Sequence, residues 1–335
     1  MATLTPASAQ AIARLRAYRP PPTQWNNLPL SRRAAVLILL FADRAGDLRV
    51  VLTMRAGTLR TYAGQAALPG GKSDTLTETP FATARREAYE EIGLPLHDAH
   101  LPSPFRVEHL CQLPSNLART ELGVRPCVAF LSTSSPSNAA SSPNPSAESA
   151  LIPRLDPKEV AAVFTAPFHN FLREKDEAAD NLAHSSASAG DFPGAEAAGF
   201  KAEWYRGVWT DWHESRWRMH NFYVPVGAAG NSSQTVVRPR KKARPKITHP
   251  TAPGEEEEDA LDRQTRFRVF GMTARILVDA ARVAYGEEPE FEHNAHHGDE
   301  DMIARLLKTG RLAMEKRRGD ELTRADFEKA AAAKL

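Results

Sequence analysis

The stretch LPGGKSDTLTETPFATARREAYEEIGL, residues Leu68–Leu94, carries the most information about the fold. It begins as a glycine-containing loop and continues as a helical pattern over Pro80–Ile92. Thr79 is a favourable N-cap residue, and Pro80 suits the first helical position because no helical hydrogen bond needs its missing N–H. Gly93 can adopt the left-handed conformation that ends a helix. The stretch therefore predicts a loop followed by one helix that stops at Ile92.

Acidic side chains cluster on one face of this predicted helix. Glu87, Glu90 and Glu91 lie at positions i, i+3 and i+4, so their carboxylates are neighbours. Like charges this close repel each other unless cations neutralise them, and carboxylate oxygens suit Mg²⁺ or Mn²⁺. The sequence therefore predicts a divalent metal site, to which the main-chain carbonyl of Gly70 can contribute because glycine allows close backbone approach. The reverse face is apolar and is predicted to pack against a sheet: it carries Ala84, Ala88 and Ile92.

A basic residue on the neighbouring helix face, Arg86, is expected to contact the preceding loop. Its predicted partner is Glu78, which comes just before the N-cap residue. An ion pair between these two side chains would fix the loop against the helix.

Apolar runs on both sides of this stretch predict strands. Ala34–Phe41 and Leu48–Met54 have the length and composition of buried strands, and the turn signal Asp43–Gly46 joins them into a hairpin. Val124–Leu131 predicts a further strand. We expect it at a sheet edge or a bulge because Pro126 has no N–H to donate to a neighbouring strand.

The rest of the chain predicts helices and interruptions. Phe267–Tyr285 has apolar residues at helical spacing, and another helix is expected in the tail from Asp299. Strands flanked by helices predict an α/β sandwich. Three stretches rich in Ser, Ala, Pro or charge are predicted to be disordered insertions: about 132–149, 174–199 and 227–262. We therefore divide the chain into an N-terminal extension (1–30), an interrupted main domain (31–285) and a helical tail (286–335).

Composition excludes several classes of protein. Lys+Arg number 43 and Asp+Glu 41, so the net charge of +2 provides no polycationic surface for nucleic acid. The two cysteines, Cys111 and Cys127, cannot form a disulfide framework, as is typical of a reducing compartment. The longest uncharged apolar run, Ala34–Ala42, is far shorter than the roughly 20 residues that span a bilayer. No nucleic-acid partner and no membrane insertion are expected, and the basic block 238–246 is interpreted as a charged loop rather than an RNA-binding patch.

The loop and helix together resemble the signature of the Nudix hydrolases. In that signature a Gly is followed by five residues, a Glu, seven residues and then Arg-Glu, an apolar residue, any residue, Glu-Glu, any residue, Gly and an apolar residue. Glu78 and Arg86–Leu94 match the second half, whereas six residues rather than five separate Gly71 from Glu78. The resemblance covers roughly 34–285 outside the insertions. It implies a Nudix-type α/β/α sandwich with a mixed sheet.

A second element, immediately upstream, resembles the coenzyme A diphosphatase branch of this family. Its pattern is Leu-Thr-any-Arg-Ser/Ala, three residues, Arg, three residues, Gly, three residues and Phe-Pro-Gly-Gly. Leu52–Gly71 follows it with Leu68 in place of the Phe. The resemblance implies the following substrate-binding residues: Arg55, Arg60, Gly64 and Lys72. Structural ion pairs are the alternative role for the two arginines, whose planar guanidinium groups also suit phosphates.

The resemblance implies a metal-dependent diphosphatase. Its substrate would be coenzyme A or an acyl or oxidised derivative, and its products 3′,5′-ADP and 4′-phosphopantetheine or its derivative. Mg²⁺ or Mn²⁺ held by Glu87, Glu90, Glu91 and the Gly70 carbonyl would neutralise charge on the diphosphate and activate a water molecule. Glu87, which would orient or deprotonate that water, Glu78 and Arg86 form the expected catalytic set.

Two other functions stay open. One is a Nudix diphosphatase of another nucleoside diphosphate derivative, such as ADP-ribose, NADH or a dinucleoside polyphosphate. The other is a non-catalytic Nudix protein that binds nucleotide or RNA, in which the basic block would do the binding.

The last three residues, Ala333-Lys334-Leu335, resemble a peroxisomal address of the Ser-Lys-Leu type. A peroxisomal import receptor is therefore the expected protein partner, and the peroxisome the expected location. The alternatives are the cytoplasm and the mitochondrion, because Arg14, Arg16 and Arg19 precede the first acidic residue as in a mitochondrial presequence.

Two further clusters are interpreted as structural. The first is expected to be a solvated polar loop rather than a metal site, and comprises His293, His296, His297, Asp299, Glu300 and Asp301. The second is expected to belong to the core or to a lid rather than to a nucleic-acid surface, and comprises Trp204, Trp209, Trp212 and Trp217.

Overall fold

A computed structural model describes residues 4–59, 62–133, 155–177, 204–212, 215–226, 236–237, 264–315 and 321–333. Arg60, Lys334, Leu335 and most of the three predicted insertions lie outside the described residues. The helices are α1 (Pro6–Ala17), α2 (Pro80–Ile92), α3 (Gly271–Tyr285), α4 (Glu300–Lys308) and α5 (Arg324–Ala332). The strands are β1 (Arg33–Ala42), β2 (Leu48–Arg55), β3 (Ala66–Ala67), β4 (Gly70–Lys72), β5 (Phe105–Gln112), β6 (Asn116–Leu117), β7 (Gly123–Thr133), β8 (Val160–Pro167), β9 (Tyr205–Trp212), β10 (Ser215–Pro225) and β11 (Arg266–Phe270).

The larger sheet is mixed. Its strand order is β3-β2-β1-β7-β5, with β8 paired to β2, β4 to β1 and β6 to β7. The predicted hairpin is confirmed, since β1 and β2 are antiparallel with Leu40 opposite Val50. β1 also runs parallel to β7 and antiparallel to β4, which places Gly71 opposite Ala35. The glycine loop is therefore joined directly to the central strand.

Helices cover both faces of this sheet. α2 packs on one face, where Ala84, Ala88 and Ile92 are buried against β1 and β7 as the apolar stripe predicts. α1, α3 and the smaller antiparallel sheet β11-β10-β9 share the apolar cluster on the other face. The predicted α/β class with a mixed sheet is confirmed. No helix within the described parts of the chain is both long and apolar enough to cross a membrane.

The capping signals of α2 act as predicted. The Thr79 hydroxyl accepts a hydrogen bond from the Ala82 N–H, and Pro80 occupies the first turn. Gly93 has φ = 71°, in the left-handed region, and its N–H bonds to the carbonyls of the last turn. Local chemistry at both ends therefore fixes the length of the helix that carries the acidic face.

The strand that contains Pro126 lies inside the sheet, so the expectation of an edge was wrong. β7 has β1 on one side and β5 and β6 on the other. The Pro126 carbonyl accepts from the Leu113 N–H, where β5 has ended and β6 has not begun. The N and O of one strand residue point to the same side, so the proline nitrogen faces Leu113 at the end of β5 and not β1, and the missing N–H affects only the last position of the β5–β7 ladder.

The helix predicted over Phe267–Tyr285 begins only at Gly271. Phe267 and Val269 are fully buried and alternate with more exposed neighbours, which is the pattern of a strand, and they pair with β10. The third predicted insertion also contributes to the fold. Val237 exchanges two backbone hydrogen bonds with Val163 of β8, at 2.8 and 2.9 Å.

Candidate active site

The three glutamates of α2 have very different environments. The side chain of Glu90 is 49% exposed and that of Glu87 15%, whereas Glu91 is only 4% exposed as a residue. The Gly70 N–H donates to the Glu91 carboxylate at 3.2 Å. The acidic face therefore runs from solvent at Glu90 to the glycine loop at Glu91.

Burial makes both inner glutamates unusually weak acids. It raises the pKa of Glu91 to about 8, an effect that the charges of Glu87 and Glu159 increase and that the Gly70 N–H and Arg55 oppose. Burial also raises the pKa of Glu87, opposed by Arg86 and reinforced by Glu90 and Glu159. A carboxylate held in this way gains from any cation that replaces its proton.

Arg86 joins the loop to the acidic face. Its guanidinium donates to Glu78 at 2.9 Å, to Glu87 at 3.0 Å and to Glu90 at 3.2 Å. It also donates to the Lys72 carbonyl at 2.7 Å. The predicted contact between Arg86 and Glu78 is thus present, and the same side chain neutralises two of the three glutamates.

Glu78 keeps this contact although its loop is one residue longer than the Nudix signature. The Asp74 N–H donates to its carboxylate at 2.9 Å, and the Glu78 N–H donates to the Thr75 carbonyl at 3.3 Å. Burial would raise the pKa of Glu78, but the hydrogen bonds from Arg86 and Asp74 outweigh it and lower the pKa overall. The extra residue is accommodated in a turn, and the carboxylate stays charged beside Arg86.

Both glycines of the loop are required by close contacts. A Cβ atom on Gly71 would lie 2.5 Å from the Glu87 carboxylate. A Cβ atom on Gly70 would collide with the Ala35 carbonyl of β1. A larger residue at position 70 would displace the central strand β1, and one at position 71 would displace Glu87.

Glu159 is a further acidic residue close to the site, and it was not among the predicted site residues. It precedes β8, and its carbonyl accepts from the Ala56 N–H at 2.9 Å. Its charge raises the pKa of both Glu87 and Glu91. Pairing of β8 with β2 brings it close to α2.

The predicted substrate-binding residues lie around the end of β2. Arg55 is partly buried, its charge lowers the pKa of Glu91, and its Nε atom is buried without a hydrogen-bond partner. The Gly64 N–H donates to the Arg55 carbonyl at 3.1 Å, and Gly64 has φ = 65°. Lys72 is exposed at the end of β4. The structure therefore brings Arg55 and Gly64 together, while Lys72 lies on a strand that pairs with β1 and Arg60 lies outside the described residues.

The donor set fits Mg²⁺ or Mn²⁺ in chemistry. Carboxylate oxygens are the ligands that these hard cations prefer. Burial raises the pKa of two of the three carboxyl groups, those of Glu87 and Glu91. In the described ranges, however, no three His, Cys, Asp or Glu side chains converge closely enough to enclose a cation. Arg86 provides the positive charge beside Glu87 and Glu90.

The interpretation of the histidine-rich segment as a solvated loop was wrong for His293 and Glu300, whereas His296 and Asp301 are exposed as expected. The His293 side chain is 2% exposed and lies 2.9 Å from Asp279 and 2.8 Å from His220. Glu300 pairs with Arg125 at 2.8 Å. These residues connect the tail to the main fold rather than facing water.

The tryptophans divide between core and surface. Trp204 is buried, and its indole N–H donates to the Asn170 carbonyl at 2.8 Å. Trp209 is 41% exposed, with the Arg218 guanidinium 5.3 Å from its ring centre. Both cysteines are free, in line with the expected lack of a disulfide framework, and both are buried.

Comparison with known proteins gives one family throughout. The model of the NUDIX domain matches residues 31–182. Peroxisomal coenzyme A diphosphatase 1 of Saccharomyces cerevisiae is 30% identical over 306 residues, which cover 89% of this chain and 82% of the yeast protein. Nudix hydrolase 22, chloroplastic, of Arabidopsis thaliana is 38% identical over 260 residues, with coverages of 78% and 58%.

A third relative, Nudix hydrolase 15, mitochondrial, of Arabidopsis thaliana, is 38% identical over 144 residues, or 43% of each chain. The chain thus matches most of the yeast protein and about half of each plant protein.

Proposed function

This chain belongs to the Nudix hydrolase family, and on that premise we propose that it hydrolyses the diphosphate bond of coenzyme A or its acyl or oxidised derivatives. The products would be 3′,5′-ADP and 4′-phosphopantetheine or its derivative. One observation carries the proposal: Arg55, from the coenzyme A diphosphatase element, lies close enough to Glu91 of the Nudix helix to lower its pKa. The two sequence elements thus meet at one place. The yeast relative, named as a coenzyme A diphosphatase, supports the same substrate.

Glu87, Glu90, Glu91 and the Gly70 carbonyl would hold Mg²⁺ or Mn²⁺. When bound, the cation supplies charge neutralisation at the diphosphate and lowers the pKa of a bound water. The buried Glu91 is the strongest candidate ligand because a cation would relieve the cost of its charge.

The protein's own residues would orient the substrate and accept the proton. Glu87 is suited to take a proton from water because burial raises its pKa and so makes its carboxylate a stronger base. Arg86 holds Glu87 at 3.0 Å and Glu78 at 2.9 Å, and so fixes the direction of the carboxylate. The unpaired Nε of Arg55 can donate to a phosphate oxygen, and the exposed Lys72 would add positive charge at the end of β4.

Product analysis tests this proposal. The purified chain would be incubated with coenzyme A and Mg²⁺ or Mn²⁺, and the products separated by chromatography, in parallel with ADP-ribose, NADH and diadenosine tetraphosphate. We expect 3′,5′-ADP from coenzyme A, loss of turnover in Glu91→Gln, and a larger loss with coenzyme A than with ADP-ribose in Arg55→Ala. Arg16→Ala, which removes a surface ion pair with Glu108, is the control.

Each contrary outcome selects one alternative. Faster turnover of a substrate from the panel would replace coenzyme A by that substrate. No turnover of any substrate, together with nucleotide or RNA binding, would favour a non-catalytic protein.

The second part of the proposal is location in the peroxisome, supported by the printed name of the yeast relative. The partner would be a peroxisomal import receptor that binds Ala333-Lys334-Leu335. A fluorescent protein fused to the N-terminus should enter peroxisomes, and removal of Leu335 should abolish entry. The plant relatives are named chloroplastic and mitochondrial, so mitochondrial or cytoplasmic fluorescence of the intact fusion would overturn this part.

A further inference from the structure

Arg33, at the start of β1, donates hydrogen bonds to backbone carbonyls from all three nitrogens of its guanidinium group. Its Nε donates to the Leu28 carbonyl at 2.8 Å, and one Nη donates to the Asn26 carbonyl at 2.6 Å. The other Nη donates to the Leu76 carbonyl at 3.1 Å. Arg33 is buried, and its guanidinium lies 5.1 Å from the centre of the Trp25 ring. A charged group in this setting holds separate segments of backbone in one arrangement.

The segment that Arg33 holds through Leu76 is the loop of the candidate site. Leu76 lies between Asp74 and Glu78, and its side chain is 60% exposed, so packing of that side chain does not fix the loop. Arg33 also binds the beginning of the loop, because its own carbonyl accepts from the Ser73 N–H at 3.1 Å. The loop is therefore attached to one strand residue at two points.

The attached loop contacts the acidic face of α2 through Arg86. Asp74 and Glu78, on either side of Leu76, both pair with Arg86, at 3.3 and 2.9 Å. Arg86 in turn donates to Glu87 at 3.0 Å. Displacement of the Leu76 carbonyl would move the two carboxylates that hold Arg86.

The loop depends on this attachment more than the shorter loop of the Nudix signature would. Six residues separate Gly71 from Glu78, one more than the signature has, and a longer loop has more conformations to lose when it is ordered. Its other hydrogen bonds are internal, as between Asp74 and Glu78, or lead to α2, as between the hydroxyls of Ser73 and Thr83 at 2.9 Å and from Arg86 to Glu78. The bonds from Arg33 attach the loop directly to the sheet.

We propose that Arg33 is a positioning residue for the active site: it fixes the loop 73–79 on β1 and thereby sets Glu78 and Arg86 against Glu87. Arg33 does not touch substrate or cation. The proposal rests on the proposed function for its kinetic consequence, while its structural part concerns the resting protein alone.

The first experiment compares Arg33→Met with Arg49→Met. Arg49 is the matched control because it is equally buried, but its guanidinium binds the oxygens of Thr165 and so joins β2 to β8. Hydrogen exchange of the peptide covering 73–79 should accelerate roughly tenfold in Arg33→Met and stay parental in Arg49→Met. The dissociation constant for Mn²⁺, measured by titration without substrate, should rise roughly five- to tenfold only in Arg33→Met.

The second experiment tests whether Arg33 acts through Glu78. In a Glu78→Gln background, Arg33→Met should change Mn²⁺ affinity by less than about twofold, because residues of one chain of contacts are not additive. The same tenfold change in both backgrounds would overturn the proposal. So would unchanged hydrogen exchange of 73–79 in Arg33→Met, because Arg33 would then brace only the segment around Trp25.

If Arg33→Met fails to fold, Arg33→Lys replaces it, since the amine keeps the charge and can reach one carbonyl. Intermediate exchange of 73–79 and intermediate Mn²⁺ affinity would support the proposal, and parental values of both would refute it. Failure of the parent to hydrolyse coenzyme A would remove the proposed function but leave these two measurements valid.

Discussion

Glu91→Gln should make the metal-free protein more stable at neutral pH, although it removes a predicted metal ligand. Burial raises the pKa of Glu91 to about 8, from 4.5 in a model compound. Between these two values the folded state keeps a proton that the unfolded state has lost. The free energy of unfolding therefore falls as the pH rises through this window.

The size of the effect follows from the width of the window. Each pH unit inside it costs about 1.4 kcal/mol, so the parent should lose about 3 kcal/mol between pH 5.5 and 7.5 through this one group. Glutamine has no proton to lose and can still accept from the Gly70 N–H through its amide oxygen. The stability difference between Glu91→Gln and the parent should therefore grow in favour of the variant as the pH rises.

Urea unfolding in EDTA, at pH 5.5, 6.5 and 7.5, measures this difference. Subtraction of the parent curve removes the contributions of titrating groups that do not interact with Glu91. Glu90→Gln is the matched control, since its side chain is 49% exposed and its replacement should leave the difference flat. A flat difference for Glu91→Gln as well would refute the reasoning that Glu91 is a buried, weakly acidic carboxyl. Addition of Mn²⁺ at pH 7.5 should stabilise the parent more than Glu91→Gln, because the cation replaces the proton.

Three further predictions concern the same sheet and helix. Gly71→Ala should lower turnover at least tenfold with little loss of stability, because its Cβ would lie 2.5 Å from the Glu87 carboxylate; parental turnover in a kinetic assay would contradict this. Glu159→Gln should move the acidic limb of the pH–rate profile to lower pH, because the pKa of Glu87 is raised by burial and, to a smaller extent, by the charges of Glu90 and then Glu159; a shift to higher pH would contradict it. An oxidant should not cross-link Cys111 and Cys127, since they lie in the apolar clusters on opposite faces of the sheet, and a disulfide found by mass spectrometry would show this packing to be incorrect.

The elements that local chemistry determines were predicted well from the sequence. Thr79, Pro80 and Gly93 fix α2 through hydrogen bonds and dihedral preferences that involve only near neighbours. The hairpin β1–β2 likewise depends on two apolar runs and a turn whose Asp43 side chain accepts from the Ala45 and Asp47 N–H groups. Such signals are complete within a few residues, so no tertiary information is needed.

The errors arose where distant segments meet. Pro126 is tolerated inside the sheet only because β5 ends before β6 begins, and neither boundary is visible beside the proline in the sequence. His293 lies among polar residues in the chain, but its neighbour Phe291 stacks on Tyr205 at 3.9 Å and takes the segment into the core. Composition along the chain does not report such contacts.

Glu159 shows the same limit for the candidate site. Periodicity selects Glu87 and Glu91 because they share a helix face, whereas Glu159 belongs to another element and reaches them only when β8 pairs with β2. The roles of the α2 glutamates stay predictions, and their placement beside Arg55 is what the fold adds.

Two carboxylates at the start of α4 make the end of the chain difficult to shorten. Asp299 pairs with Arg275 at 2.8 Å, and Glu300 pairs with Arg125 at 2.8 Å. Truncation after Tyr285 would leave the Arg125 guanidinium inside the protein without Glu300 and the Arg275 guanidinium with only the charge of Asp279, and breaking a buried pair costs about 3–5 kcal/mol. A shortened version for crystallisation should therefore extend beyond Glu300, even though every residue of the acidic helix α2 lies about two hundred positions earlier.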